Sequence, residues 1–381
     1  MSENNKKVIS NVNSKGKEER NVPDLRLNKF NEKWENAKMS KILKIKSGQD
    51  QKKILDVNGI YNIYGTGGVI GKTNQYLYNK ESVGIGRKGT IDRPFYFNEP
   101  FWTVDTLFYS EIFNAYPKFV FYLFQTINWY LYNQSTGVPS LTSSVIENIN
   151  KYIPKYAEQV KIAEVFTLLD DRINSQKKII EDLFLQKNSI INTIFDNSSY
   201  NCKLNDIISQ VSVRNKDSDI DNVLSVSNKY GFIKQSEQFE DREVASDDIT
   251  NYKIVEKDVF AYNPARINVG SIAKYSLEKK GIISPMYICF KVNPKLNPEY
   301  LNYYFLSSSF KKQMVKRLEG SVRQCLTYES LANIPFFLPS IEVQKKDATV
   351  LAAFNNKINL ERNYLSLLEK QKSYLLNKMF I

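Results

Sequence analysis

Histidine is absent from this chain of 381 residues, and cysteine is scarce, at Cys202, Cys289 and Cys325. Without histidine there is no Ser-His-Asp relay, no HExxH zinc site and no imidazole general base. Three cysteines far apart, with no CxxC pair, make neither a disulfide framework nor a zinc cluster. No apolar run nears the roughly 20 residues of a membrane-spanning helix, and the N-terminus lacks a signal-peptide core. The chain therefore reads as cytoplasmic. Paired carboxylates and activated nucleophiles are also missing, so no catalytic residue, no metal ligand and no cofactor is expected.

What the chain does have is a hydrophobic content of 42% and a net charge of +12. The length accommodates two domains of ordinary size plus long helices. The basic balance suits a polyanionic partner. A chain simply rich in Lys would carry the same charge, so the charge alone decides nothing.

The dominant pattern is a helix written twice. From Glu158 to Phe195 apolar residues follow 4-then-3 steps: Ile162, Phe166, Leu169, Ile173, then Ile180, Leu183, Ile190 and Ile194. This is the narrow seam of a paired helix. Shifted by 185 (326 − 141 = 185), the seam recurs as Leu351, Phe354, Ile358, Leu365, Leu368, Leu375 and Met379. Its polar breaks, Gln176 and Lys187, recur as Glu361 and Lys372. The match runs on upstream through Leu141-Thr142/Leu326-Thr327, Asn148-Ile149/Asn333-Ile334, Pro154/Pro339 and Gln159/Gln344 without slipping. The period is too long for a solenoid, which leaves two whole modules, each a globular part followed by a long helix.

Residues 1–22 show no period and are expected to be disordered, with Pro23 to Trp34 a short lead-in. In the first module Val83–Gly86 and Trp102–Tyr109 read as strands, and Pro117–Phe124 as a helix whose aromatics belong to the core. In the second, Val223–Val226, Lys257–Tyr262 and Tyr287–Val292 read as strands and Tyr300–Leu306 as a helix. Identity between the globular parts is weak, while the helices agree.

Gly65-Thr66-Gly67-Gly68-Val69-Ile70-Gly71-Lys72-Thr73 approaches a phosphate-binding loop, but Thr66 stands where the motif requires glycine, and no clean apolar strand precedes it. As a DNA contact the same loop offers glycine amides, Lys72 and Thr73. Gly86-Arg87-Lys88-Gly89-Thr90 is a second basic turn, and Asn263-Pro264-Ala265-Arg266-Ile267-Asn268 follows a strand in the second module. Arg, Lys and Asn are side chains that read base edges. Asn263-Pro264 also begins like the Asn-Pro-Pro-aromatic motif of adenine methyltransferases, but Ala265 and Arg266 break it.

Together these segments resemble the specificity (S) subunit of type I restriction–modification enzymes over residues 23–381. The resemblance rests on Tyr64–Gly71, Ile85–Thr90, Thr136–Leu141, Ile153-Pro154, Glu158–Ala163 and Leu169–Ile173. In the second half it rests on Leu224–Val226, Asn228–Gly231, Tyr262–Pro264, Ser284–Tyr287 and Leu338-Pro339. One departure is Val343-Gln344-Lys345-Lys346-Asp347, where the first copy has Glu158-Gln159-Val160-Lys161-Ile162. The resemblance implies an α/β (α+β) chain with two globular target-recognition domains, 23–157 and 199–340, and two long helices, 158–198 and 341–381. The helices form an antiparallel coiled coil with a pseudo-twofold repeat. By the same resemblance each domain would read half of an interrupted double-stranded DNA site, and the helices, of which the stretch 158–195 is about 57 Å long at roughly 1.5 Å per residue, would fix the gap.

The DNA contacts expected on this basis are Tyr64, Thr66, Lys72, Thr73, Arg87, Lys88, Thr90, Thr136 and Ser140 in the first half. In the second they are Lys229, Tyr230, Asn263, Arg266, Asn268, Ser321, Arg323 and Gln324. The expected helix seam is Phe166, Leu169, Ile173, Ile180, Leu183, Ile190, Phe354, Ile358, Leu365, Leu368 and Leu375. Two methylation subunits, and restriction subunits in the full complex, would supply the chemistry. The competing reading is a coiled-coil scaffold with non-specific DNA affinity.

Overall fold

The computed structural model describes residues 21–196, 199–238, 248–320 and 324–381. Most of the expected disordered tail, and the candidates Ser321 and Arg323, lie outside the described residues. The architecture is α+β, in two compact units. One ends at Gln176 and also takes in Tyr364–Ile381; the other is Lys177–Asn363.

In the first unit β1 (Glu35–Lys38) pairs antiparallel with β9 (Asn150–Ile153). A four-stranded sheet has the order β2 (Leu43–Ser47), β8 (Leu107–Ile112), β5 (Ser82–Gly86), β6 (Phe95–Phe97). A three-stranded sheet has the order β4 (Gly68–Thr73), β3 (Tyr61–Gly65), β7 (Phe101–Thr103), with β3 and β7 parallel. Helices α1 (Pro117–Gln125) and α2 (Ser143–Glu147) precede the long α3 (Tyr156–Phe195). Proline at the first position starts α1, where the missing N–H costs nothing. Its Phe119, Val120, Tyr122, Leu123 and Phe124 are buried, so these aromatics are core, as expected.

The second unit repeats this plan with one added strand, β14 (Lys253–Val255), at the edge of its second sheet. Here β10 (Cys202–Lys203) pairs with β19 (Pro335–Phe336), and a sheet runs β11 (Ile208–Val211), β18 (Ile288–Val292), β15 (Phe260–Tyr262), β16 (Ile272–Lys274). The other sheet runs β13 (Gly231–Lys234), β12 (Val223–Ser227), β17 (Gly281–Ile283), β14 (Lys253–Val255), with β12 and β17 parallel. Short α4 (Gln235–Gln238) follows β13, and α5 (Pro298–Tyr304), α6 (Ser308–Val315) and α7 (Tyr328–Ala332) lead to α8 (Ile341–Met379).

The identities shared across the repeat are joints of this framework. Thr142 and Thr327 cap α2 and α7, their hydroxyls accepting from Val145 N and Ser330 N, a cap worth about 1 kcal/mol. Leu141 and Leu326 are buried beside them. Asn148 and Asn333 end the same helices, and the carbonyls of Ile149 and Ile334 accept from Met39 N and Leu204 N. Gln159 and Gln344 are almost fully buried. Gln159 accepts from Tyr116 N (2.8 Å) and donates to Pro154 O (2.8 Å). Gln344 accepts from Asn297 N (2.7 Å) and donates to Pro339 O (2.9 Å). Each glutamine thus ties the start of a long helix to the loop before α1 or α5.

Within each unit the long helices run antiparallel. In the first, Arg172 lies against Tyr364 (5.5 Å), Asp170 against Lys372 (2.7 Å) and Phe166 against Phe380 (5.9 Å). In the second, Phe184 lies against Arg362 (4.9 Å) and Lys187 against Asn355 (3.1 Å). Of the seam residues, Phe166, Ile173, Ile358 and Leu368 are buried. Leu169, Ile180, Leu183, Ile190, Phe354, Leu365 and Leu375 are half-buried, and none is exposed. Toward the helix ends the stripe widens: Ile162, Ala163 and Phe166 join the core of the first unit, and Ile191 and Phe195 that of the second. The polar breaks sit inside the helices, with Gln176 and Lys187 buried.

Three readings of the sequence change. A strand, β3, does precede the glycine loop, but a second strand follows it. Thr66 and Gly67 are therefore a hairpin tip, and no helix N-terminus is presented to a phosphate. Trp102–Tyr109 is not one strand: a turn closed by Leu107 N to Val104 O (2.9 Å) sends β7 and β8 into different sheets. Lys257–Tyr262 shortens to β15, because Asp258 adopts φ 67°.

Candidate nucleic-acid interface

Strand β5 is buried along its whole length and delivers the Arg87–Thr90 turn to the surface. A side chain at Gly86 would meet Thr90 O at 1.9 Å, and Gly89 has φ +93°, so both glycines are required by the turn. The turn is clamped by the segment before α2. Gly89 N donates to Pro139 O (2.9 Å), and Leu141 N donates to Arg87 O (2.9 Å). Asn133 Oδ1 shapes that segment by accepting from Ser135 N (3.1 Å) and Ser140 N (2.9 Å). The β3–β4 tip adjoins it, since a Cβ at Gly89 would lie 3.9 Å from Thr66 Oγ1.

Thr66, Arg87, Lys88, Thr90, Thr136 and Ser140 therefore gather at one end of the unit, with Arg87, Lys88 and Thr136 exposed. The Arg87 guanidinium lies 6.0 Å from the Phe108 ring and donates to Asp105 O (3.4 Å), which braces the side chain. Tyr64 is half-buried and packs 4.9 Å from Phe97.

Two expected contacts lie apart from this cluster. Thr73 is fully buried, and its hydroxyl accepts from Gln75 N (3.1 Å), so it holds a turn. Lys72 is exposed but stands at the far end of β4 from the tip, opposite Asn62, where its carbonyl accepts from Asp56 N.

The second unit builds the same clamp from different residues. Leu326 N donates to Pro264 O (3.1 Å), the counterpart of Leu141 N to Arg87 O. Arg266 and Asn268 are exposed on the clamped turn. Asn263 is not: it is buried, and Oδ1 accepts from Ala265 N (3.0 Å), so it folds the turn. The β12–β13 tip meets this turn, with a Cβ at Gly270 falling 3.7 Å from Asn228 Cβ and Ser271 Oγ donating to Val226 O (2.9 Å). On the tip, Lys229 N and Tyr230 N donate to Ser227 Oγ, and Lys229 Nζ lies 4.9 Å from the exposed Tyr230 ring. Gln324 is exposed next to Cys325, whose backbone pairs with Glu319.

The sequence reading missed Asn133, and it missed the polar groups that lock each helix pair to α1 or α5. Tyr122 donates to Asp170 (2.9 Å), and Asn355 Nδ2 donates to the Tyr303 hydroxyl (3.0 Å). Asp170 and Asn355 are repeat partners (170 + 185 = 355), but a search for identities passes over an Asp/Asn pair.

Residues 31–183 and 200–370 each match the type I restriction modification DNA specificity domain. Over 293 residues, 68% of this chain and 68% of the relative, the sequence is 25% identical to the type I restriction enzyme MjaVIII specificity subunit of Methanocaldococcus jannaschii. The fold is similar to that of a type I restriction–modification system S subunit from M. genitalium, with a TM-score of 0.59 and 16% identity over 94% of this chain and 99% of that one. A chain of a type I R-M system, solved for its complex assembly and conformational transition, has a TM-score of 0.57 and 12% identity over 91% of this chain and 97% of that one. Two copies of one domain, each carrying the same clamped turn, account for most of the sequence, and the chain belongs to the type I restriction–modification DNA specificity family.

Proposed function

We propose that this chain is the specificity subunit of a type I restriction–modification complex, each unit reading one half of an interrupted double-stranded DNA site. The observation that carries this reading is the twice-built clamp, Leu141 on Arg87 and Leu326 on Pro264, around turns that expose different side chains. One scaffold with two sets of readers matches an asymmetric target. Arg87 and Lys88 suit guanine edges in one half, and Asn268 an adenine edge in the other. Thr66, Thr90, Thr136, Ser140, Lys229, Tyr230 and Gln324 flank them and suit phosphate or sugar contacts.

Residues 23–157 and 199–340 serve as the target-recognition domains. The helices, α3 and α8, each contribute to both units; they set the gap between half-sites and receive two methylation subunits. Restriction subunits join in the full complex. Methyl transfer and cleavage belong to those partners, and this chain supplies the address.

Competition binding by the chain with its methylation partner tests the assignment. Arg87→Ala should lose about 1–3 kcal/mol of discrimination in one half-site only, and Arg266→Ala in the other only. A loss uniform over all sequences would assign both residues to phosphate. Binding without any sequence preference, and strongly salt-dependent, would leave only the scaffold reading.

A further inference from the structure

The second unit contains a groove of about 930 Å³ between the β12–β13 hairpin, β16 and the helices α5 and α6. This volume lies within the roughly 300–1,000 Å³ typical of small-molecule sites. The corresponding hairpin of the first unit is packed down instead, with Tyr64 on Phe97 at 4.9 Å and Phe97 stacked on Phe101 at 4.1 Å.

The lining has a definite chemistry. Lys229, Lys234, Lys274 and Lys311 contribute to it, and among the described residues no Asp or Glu does. Lys274 is paired outside the groove with Asp258 and Glu299, which leaves the other three to set its field. A concave surface of one charge sign with apolar walls focuses that field on an anion. Tyr230 and Phe232 bring aromatic rings, and Phe232 is held from behind by the buried Tyr275, which it meets edge-on at 5.0 Å. Asn268 and Asn302 add amide donors and acceptors. Cationic rim, aromatic walls and amides are what a nucleotide requires: phosphate on lysine, base on ring, base edge on amide. The groove includes Lys229, Tyr230 and Asn268, so it opens beside the proposed reading turn.

We propose that this groove binds one unpaired nucleotide, its base against the aromatic wall and its phosphate near Lys229, Lys234 and Lys311. That the nucleotide is delivered by bound DNA rests on the specificity-subunit reading; the site itself does not.

The test uses the full chain, alone and with its methylation partner. Deoxynucleoside monophosphates and a short single-stranded oligonucleotide are titrated, and separately duplex DNA carrying 2-aminopurine at successive positions. The variants are Lys311→Glu, which reverses one charge, and Ser276→Trp, which fills the groove from an exposed position. Circular dichroism verifies the fold of each. Both variants should weaken nucleotide and single-strand binding about tenfold or more, the scale of one lost stacking or phosphate contact. A 2-aminopurine signal on duplex binding that both variants abolish would identify DNA as the source. Nucleotide binding without that signal would identify free nucleotide as the ligand. No nucleotide or single-strand binding, or binding indifferent to both variants, overturns the site. Sequence-specific duplex binding that persists alongside such a result would leave the specificity reading intact.

Discussion

Exchanging the polar residues at repeat-related positions 170 and 355 should move the two units in opposite directions. In the first unit Lys372 donates to Asp170 at 2.7 Å, and Tyr122 donates to the other carboxylate oxygen at 2.9 Å. In the second, Lys187 is buried against the neutral Asn355 at 3.1 Å. Burial, reinforced by Arg362, pushes the Lys187 ammonium below the ordinary lysine range. A charge-assisted hydrogen bond is roughly twice as strong as a neutral one of about 0.5–1.5 kcal/mol. Asn355→Asp gives Lys187 a counter-charge and lets the Tyr303 hydroxyl donate. It should stabilise the second unit by about 1 kcal/mol after the new carboxylate is desolvated. Asp170→Asn should cost the first unit about 1–2 kcal/mol.

The readouts separate cleanly. Trp34, Trp102 and Trp129 all lie in the first unit, so tryptophan fluorescence during urea unfolding follows it alone. Amide exchange over residues 177–195 and 341–363 follows the second. A base whose folded pKa lies below its unfolded value gains stability as pH rises from the folded value toward about 10.4. Wild type should show that rise in the second unit, and Asn355→Asp should not. Loss of stability in both exchanges, or no change in either, would refute the view that these positions pair across the helices.

Ile173→Asp places a charge in the helix seam, where Ile173 is buried. It should cost roughly 3 kcal/mol or more, and an unchanged Tm would contradict the seam. Cys289 is buried, and burial pushes its thiol up to about 11; alkylation of the native protein at pH 8 should spare it until unfolding, whereas fast labelling would mean that β18 opens readily. Thr73→Val removes the hydroxyl that accepts from Gln75 N and should leave DNA recognition unchanged; a loss confined to one half-site would return Thr73 to the interface.

The helices, and the framework that repeats with them, were legible because each repeated identity has a local task. Thr142 and Thr327 cap helices, Gln159 and Gln344 tie loops, and a joint tolerates few substitutes. A comparable plan for the two globular parts was legible, but their shared sheet order was not, because their buried positions ask only for apolar residues of suitable volume. Among the DNA candidates the sequence located the turns but not which members face outward. Thr73 and Asn263 are the residue types that read DNA and also the types that fold turns. Only tertiary context assigns them to the second task. The glycine segment, already set apart from a phosphate loop by Thr66, gave no sign that β4 makes it a hairpin.

The central claim is tested most directly by the methylome of a host expressing this chain with its cognate methylation subunit. The account predicts adenine methylation at one asymmetric two-part sequence with a fixed gap, of which replacing residues 203–325 alters one half and leaves the other. Stable protein and partner without any new methylated sequence, or a swap that alters both halves together, would contradict it.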